Sequence, residues 1–290
     1  MTTFPGVDPF GGGPATVYDL EQPRFEGMPI AGAHRPGYLY TLHRRHGDGY
    51  VPGVSEARTG SSGVVVMMEH TGTHIDALCH QADDQLLYGG VPAVVVAGSR
   101  GYRELGVETI PPIVAPGVLI DLPRHRGVDR LPERELVGAE ELRAALAADG
   151  EELRPGDVAL VRTGYDALWD EPERYLAAAG VSGDASAWIA GQGVVAVGID
   201  NMAWDVEGAF DETLGVHLPG HVILLARAGV YIVENLDLRG LAAARATRST
   251  FVCTRLKLTG ATGSPVSPIA IVPVGGSAAG DPAAAGGGRA

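Results

Sequence analysis

Apolar positions in this chain fall into short runs separated by polar and turn-forming residues. Seven runs read as β-strands: SGVVVMME (62–69), VPAVVVAG (91–98), PGVLIDL (116–122), DVALVRTG (157–164), VVAVGID (194–200), GVYIVENL (229–236) and TFVCTRLKL (250–258). They are rich in Val and Ile, and Gly, Pro or Asp often bounds them, as expected for strands closed by turns. Helical patterning is scarcer. GAEELRAALAADG (138–150) has apolar residues at the 3.6-residue spacing and ends on a glycine suited to a C-cap. EPERYLAAAG (171–180), DASAWIAGQ (184–192) and GHVILLARAG (220–229) carry weaker versions of the pattern. The balance predicts a strand-rich, mixed α/β fold with a few helices.

Composition adds bounds. With 290 residues, 45% hydrophobic and 20% charged, the chain can bury a substantial core. Neither a linker nor a repeat interrupts residues 16–274, which read as a single domain. Residues 1–15 read as a Gly/Pro-rich flexible arm and 275–290 as a low-complexity flexible tail. The formal net charge of −13 disfavours nucleic-acid and membrane-surface partners, because an acidic surface repels phosphate. No apolar run approaches the ~20 residues that cross a bilayer. The start lacks the basic and apolar regions of a secretory signal. Two cysteines are too few for a disulfide framework, so the expectation is a cytoplasmic protein with free thiols.

The chemistry concentrates in MEHTGTHIDALCH (68–80), which holds three of the nine histidines. His70, Gly72, His74 and Asp76 recur at every second position. In an extended strand all four point to one face, two imidazoles and a carboxylate with glycine leaving room between. That donor set suits zinc or manganese. Thr71 and Thr73 are placed to orient the ligands. His80, four residues past Asp76, reads as a general base, a further ligand or a loop residue. More ligands can come from GVHLPGHVILLARAGVYIVENLDL (215–238): His221, His217 one helical turn before it, and Glu234, a carboxylate in an apolar run that is costly to bury unless paired or metal-bound. Cys79 reads as a small buried side chain. Arg162 reads either as a partner for a substrate carboxylate or as a strand-end ion pair. Tyr18, Tyr38, Tyr40, Trp188 and Trp204 are candidate pocket residues, and HRRHGD (43–48) is a charged loop or a pocket rim.

HTGTHIDALCH (His70–His80) resembles the HxGTHxDxPxH signature of the metal-dependent hydrolase family labelled putative cyclases, which includes bacterial kynurenine formamidase and isatin hydrolase. Similar segments follow in the same order: YDLEQPRFEGMPIAGAHRPGYLYTLHRRHGD before it, then GVLIDLPRHRGVDRL, RPGDVALVRTGY, VVAVGID, HVILLARAGVYIVENLDL and GATGSPVSPIAIV, covering Val17 to Val274. Leu78 departs from the pattern, standing where the signature has proline. The resemblance implies a swivelling β/β/α fold, a homodimer or homotetramer, and zinc or manganese at one or two ions per subunit. It implies His70, His74 and Asp76 as metal ligands, His80 as catalytic base, and His221 and Glu234 completing the centre. The expected reaction is hydrolysis of an amide, formamide or cyclic amide or lactone of a small-molecule substrate. The alternatives are a metal-dependent cyclase, dehydratase or lyase acting on a natural-product intermediate, and a non-catalytic metal-binding scaffold.

Overall fold

The Val- and Ile-rich runs pair into one large sheet in the computed structural model, which describes residues 13–274. The main strands are β1 (Ala15–Asp19), β2 (Leu39–Arg44), β3 (Ser62–Val66), β4 (His74–Asp76), β5 (Ile113–Asp121), β6 (Val158–Arg162), β7 (Ala196–Ile199), β8 (Tyr231–Glu234), β9 (Arg248–Cys253), β10 (Gly263–Pro265) and β11 (Ile269–Pro273). Nine of them form the sheet in the order β1-β11-β9-β5-β6-β7-β8-β4-β10. The central four, β5 to β8, run parallel. The flanking pairs are antiparallel. Parallel strands need both faces covered, which is why these runs are continuously apolar rather than alternating.

Alternation shows instead in which core each residue enters. Val118, Ile120, Ala159, Val161, Val197 and Ile199 face one cluster, where Leu142 and Leu146 of helix α1 (Ala139–Ala148) and Ile189 of helix α2 (Gly183–Gly191) pack. Leu119, Val158, Leu160 and Ala196 face the opposite cluster, with Phe251, Ile110 and Leu241. The sheet is therefore a shared wall between two hydrophobic layers. Truncating a wall residue such as Leu160 to Ala costs ~2–5 kcal/mol, because the cavity left behind collapses only in part.

The strand-rich mixed α/β reading holds, and so do the strands expected within 116–122, 157–164, 194–200 and 229–236. Helices form within 138–150 and 184–192 as expected. Within 220–229 a short helical turn, α3 (Pro219–His221), continues as a π-helix, Val222–Ala228, and stops at Gly229 in the left-handed region. Two expectations need correction, and one strand that forms as expected lies outside the large sheet. VPAVVVAG is not a core strand: Ala93–Val96 is a helical turn, with Ala93 and Val96 buried and Val94 and Val95 exposed. Burial three residues apart is a helical face, not a strand face. SGVVVMME does form a strand, and among the described residues β3 pairs only with β2, in an antiparallel ribbon exposed along its whole length. EPERYLAAAG holds just one turn, Pro172–Tyr175. The expected tail, 275–290, and all of the expected arm but residues 13–15 lie outside the described residues; Ala15 already begins β1. Among the described residues no helix is long and apolar enough to cross a membrane.

Candidate metal centre and active site

Four chain segments converge at the β4 end of the sheet. β4 lies between β8 and β10, with His74 opposite Glu234 and Asp76 opposite Ile232. Cross-strand partners project to the same face, so this register sets the His74 imidazole beside the Glu234 carboxylate. Nε2 of His74 is 3.2 Å from Oε2 of Glu234 and 3.5 Å from Oδ1 of Asp76. Ile75, between His74 and Asp76, points away into the core. α3 brings in His221, whose Nε2 is 3.3 Å from Oε1 of Glu234 and 3.6 Å from Oδ2 of Asp76.

His70 arrives by a different route from the one its spacing suggests. The strand begins only at His74, and residues 70–73 form a turn with Gly72 at φ 69°. Left-handed backbone is the conformation glycine adopts without a steric penalty. The turn carries His70 back over the strand, and its Nδ1 lies 2.8 Å from Oδ1 of Asp76. At Gly263 on β10, an added Cβ would lie 2.6 Å from the His70 ring, so the absent side chain is what lets the ring sit there.

Hydrogen bonds fix which nitrogen of each ring holds a proton. Nε2 of His70 is 2.8 Å from the Thr262 hydroxyl, and that hydroxyl donates to the Glu69 carboxylate. Thr262 Oγ1 therefore accepts from Nε2–H, which leaves Nδ1 of His70 as a lone pair. Nδ1 of His74 is 2.7 Å from the Gly72 carbonyl, which can only accept. Nδ1 of His221 is 2.8 Å from Oδ2 of Asp205. His70 thus turns a lone pair toward Asp76, and His74 and His221 turn Nε2 toward Glu234 and Asp76. His70 Nδ1, both Asp76 oxygens and Glu234 Oε1 are buried and make no hydrogen bond. Buried acceptors crowded together without donors are costly. A divalent cation answers all of them at once, and the imidazole–carboxylate set fits zinc or manganese.

The electrostatics follow from burial. Burial, aided by the neighbouring His74, drives the His70 pKa far down. His74 and His221 are equally buried, but Glu234 with Asp76 raises His74, and Asp205 with Glu234 raises His221. The Glu234 carboxyl, despite burial and Asp76, is held below its ordinary value by the two imidazoles.

His80 stands over this group. Its ring centroid is 4.0 Å from that of His70 and 6.0 Å from that of His221. Burial lowers its pKa to about 3, so the ring is neutral near pH 7 and does not keep the ordinary histidine value. A nitrogen of His80 also lies within 4.8 Å of ligand atoms on Asp76 and His221, which keeps it within reach of a cation.

The structure therefore gathers His70, His74, Asp76, His80, His221 and Glu234 in one place. His217 is not among them; it is exposed and its Nδ1 is 3.0 Å from the Ala209 carbonyl. Burial raises the Cys79 thiol to about 12, which leaves it inert. Arg162 forms ion pairs with Asp121 and Asp166, the strand-end reading. Trp204 is fully buried with its indole on Ser186, and Trp188 lies against Arg143. Tyr18 is buried in β1, Tyr38 packs on the core, and Tyr40 and 43–48 are exposed on and beside the ribbon. Thr73 braces Asn235 rather than a ligand, accepting from Gln22 N–H and donating to the Asn235 carbonyl. The Thr71 hydroxyl has no hydrogen-bond partner. Sequence reasoning missed Asp205, Glu69 and Thr262, which aim the ligands, and His34, whose ring stacks on His70 at 4.7 Å. Glu69 stands inside the 68–80 window, directly before His70, whereas Asp205, Thr262 and His34 stand at no telling interval from it.

Fold and site together define a strand-rich α/β protein whose buried imidazoles and carboxylates converge on a candidate divalent-metal centre. The chain belongs to the putative cyclase family, whose family model matches residues 18–206. Among solved structures, a novel cyclase is similar at 30% identity and TM-score 0.77, covering 88% of this chain and 86% of that one. Isatin hydrolase A from Ralstonia solanacearum is similar at 23% identity and TM-score 0.65, covering 88% and 91%. A predicted metal-dependent hydrolase from Bacillus stearothermophilus is similar at 24% identity and TM-score 0.58, covering 89% and 98%. No curated protein matches the chain.

Proposed function

We propose that this protein is a metal-dependent hydrolase that cleaves an amide, formamide or cyclic amide or lactone to a carboxylate. The observation that carries the reading is the convergence of three imidazole nitrogens on the buried carboxylates of Asp76 and Glu234, of which both Asp76 oxygens and Glu234 Oε1 make no hydrogen bond among the described residues. His70, His74, Asp76, His221 and Glu234 would hold one or two zinc or manganese ions. When bound, such an ion supplies Lewis acidity, acidifying a water and polarising a carbonyl. His80, neutral and next to the ligands, accepts the proton of the attacking water and returns it to the leaving nitrogen or oxygen. Glu234 would either hold a second ion or orient the water. Similarity to proteins described as isatin hydrolase and as metal-dependent hydrolase supports the assignment.

The test is elemental analysis of the purified protein, together with turnover of isatin and N-formylkynurenine before and after chelation. Metal present, with turnover lost on chelation and restored by zinc or manganese, is the expected result. A folded protein that neither holds nor takes up metal refutes it. A second reading, a cyclase or lyase, is favoured by the similarity to a structure described as a novel cyclase. A metal-loaded protein that hydrolyses neither compound shifts the assignment there.

The β2–β3 ribbon supports a homo-oligomer. Leu39, Tyr40, Leu42, Val64, Val65 and Val66 are each 40–53% exposed on it. A two-stranded ribbon is marginal on its own, and here Leu39, Val64 and Val66 on one face and Tyr40, Leu42 and Val65 on the other leave apolar surface for a partner to cover. A second copy of the chain is the proposed partner, with light scattering as its check.

A further inference from the structure

Of the three ligand histidines, two are aimed through carboxylates: His221 through Asp205, and His70 through Thr262 and Glu69. His74 is aimed by a backbone carbonyl, that of Gly72. That carbonyl has a second donor. Nδ2 of Asn235 lies 2.9 Å from it, and the hydroxyl of Tyr175 donates to Oδ1 of Asn235 at 2.9 Å. Tyr175 and Asn235 are both 0% exposed. Their four-member chain, Tyr175–Asn235–Gly72–His74, contains no charged group other than the imidazole at its end.

Every polar atom of Asn235 is committed. Its N–H donates to the Asn201 carbonyl, and its own carbonyl accepts from Thr73 Oγ1 at 2.7 Å. Its backbone sits at φ 57°, a left-handed conformation that asparagine tolerates better than other residues with a Cβ. It also directly follows Glu234 on β8, so one short segment supplies a carboxylate to the centre and a brace to the facing histidine. The Gly72 carbonyl, which only accepts, decides the orientation of the amide, and the Tyr175 hydroxyl completes it by donating to Oδ1. Nδ2 is also 3.5 Å from Nδ1 of His74, and since both are donors this is a contact that the shared carbonyl must hold apart.

We propose that Asn235 and Tyr175 are positioning residues that fix His74 as an Nε2 metal ligand through the Gly72 carbonyl. The proposal rests on the metal-centre reading above. Removing the amide frees the carbonyl to tilt and lets the imidazole exchange tautomers. The lone pair is then no longer held toward Asp76 and Glu234, so zinc affinity falls. Groups that orient metal-ligating histidines typically change affinity 10–100-fold.

The experiment measures the zinc dissociation constant of metal-stripped protein by chelator competition for wild type, Tyr175→Phe and Asn235→Gly. The unfolding temperature of each is measured in chelator. Glycine at 235 keeps the left-handed backbone while deleting the amide. Tyr175→Phe removes one hydroxyl and keeps the ring in the core, so it serves if the glycine variant fails to fold. Zinc binding about tenfold weaker in Tyr175→Phe, and 10–100-fold weaker in Asn235→Gly, is expected. Dissociation constants within twofold of wild type overturn the proposal. A lower unfolding temperature with unchanged affinity also overturns it, since that is what mere packing would produce. Wild-type protein that binds no zinc removes the metal-centre reading itself, a failure visible before any variant is compared.

Discussion

Asp76→Asn reverses its effect on stability according to whether metal is present. Asp76 is 0% exposed, and neither of its oxygens makes a hydrogen bond. Oδ1 lies 2.8 Å from the His70 Nδ1 lone pair, which also lacks a partner. Asparagine is nearly isosteric, and its amide can donate across that distance. The change adds a bond where two acceptors faced each other and removes a buried charge. An unsatisfied buried polar group costs ~1–3 kcal/mol, so in chelator the variant gains about that much, less whatever attraction Asp76 exerts on His74. For a domain of this size 1 kcal/mol moves the unfolding temperature ~2 °C, which predicts a rise of ~2–6 °C. With zinc the order inverts. Wild type at a free zinc concentration of ~100 times its dissociation constant gains ~2.7 kcal/mol, and the variant, short of a central ligand, gains almost none. Thermal unfolding followed by circular dichroism, in chelator and in zinc, reads both halves. A variant that melts below wild type in chelator, or that zinc shifts as far as wild type, refutes the argument.

His80→Ala is expected to keep its metal content while turnover drops ~10²–10⁴-fold, and full activity would remove His80 from the chemistry. The raised pKa values of His74 and His221 predict that zinc displaces protons and binds more tightly as pH rises. Calorimetry in buffers of different ionisation enthalpy reads that release, and identical heats would contradict it. Deeper in the fold, Asp121 and Asp166 share one guanidinium, Arg162, Asp200 accepts from Thr163 and Gly164 beside them, and burial together with Asp200 raises Asp166 from 3.8 to about 7. A raised carboxyl pKa stabilises the fold below its unfolded value and is lost as pH climbs through the folded one. Stability should therefore fall between pH 4 and 7, by at most ~4 kcal/mol from this group, and Asp166→Asn should flatten that part of the profile. Parallel profiles for the two proteins would show that Asp166 is ionised throughout.

The central strands were legible because a parallel sheet covered on both faces must be written as unbroken Val, Ile and Leu. The same signature misled once, and at a second run it named the strand but not its cover. VPAVVVAG is as β-branched as any core strand, yet only Ala93 and Val96 are buried, and the segment turns once as a helix. SGVVV makes a strand whose apolar residues stay exposed on the ribbon. Local propensity reports the backbone a run prefers, and only tertiary context decides what covers it. The ligand set was legible for a related reason. His74 and Asp76 do share a strand face, and Glu234 was costly in an apolar run. The even spacing found His70 as well, but for the wrong cause, since Gly72 turns the chain where an unbroken strand was expected.

What the motif could not show is how its members are aimed. Thr262 is 192 residues from His70, and Asp205 is 16 before His221. Spacing within a motif is silent about acceptors brought in by the sheet. The Leu78 departure is resolved on the same terms. Proline at that position would stiffen the turn before His80 by fixing one dihedral. Here the backbone does it: Cys79 N–H donates to the Leu105 carbonyl at 3.2 Å, and His80 N–H to the Ala77 carbonyl at 2.9 Å. The Leu78 side chain is buried in the core that packs under α1. A leucine anchored by burial, with hydrogen bonds on the two residues after it, restrains the turn as a proline ring would. His80 is thus held over the centre by packing rather than by covalent constraint.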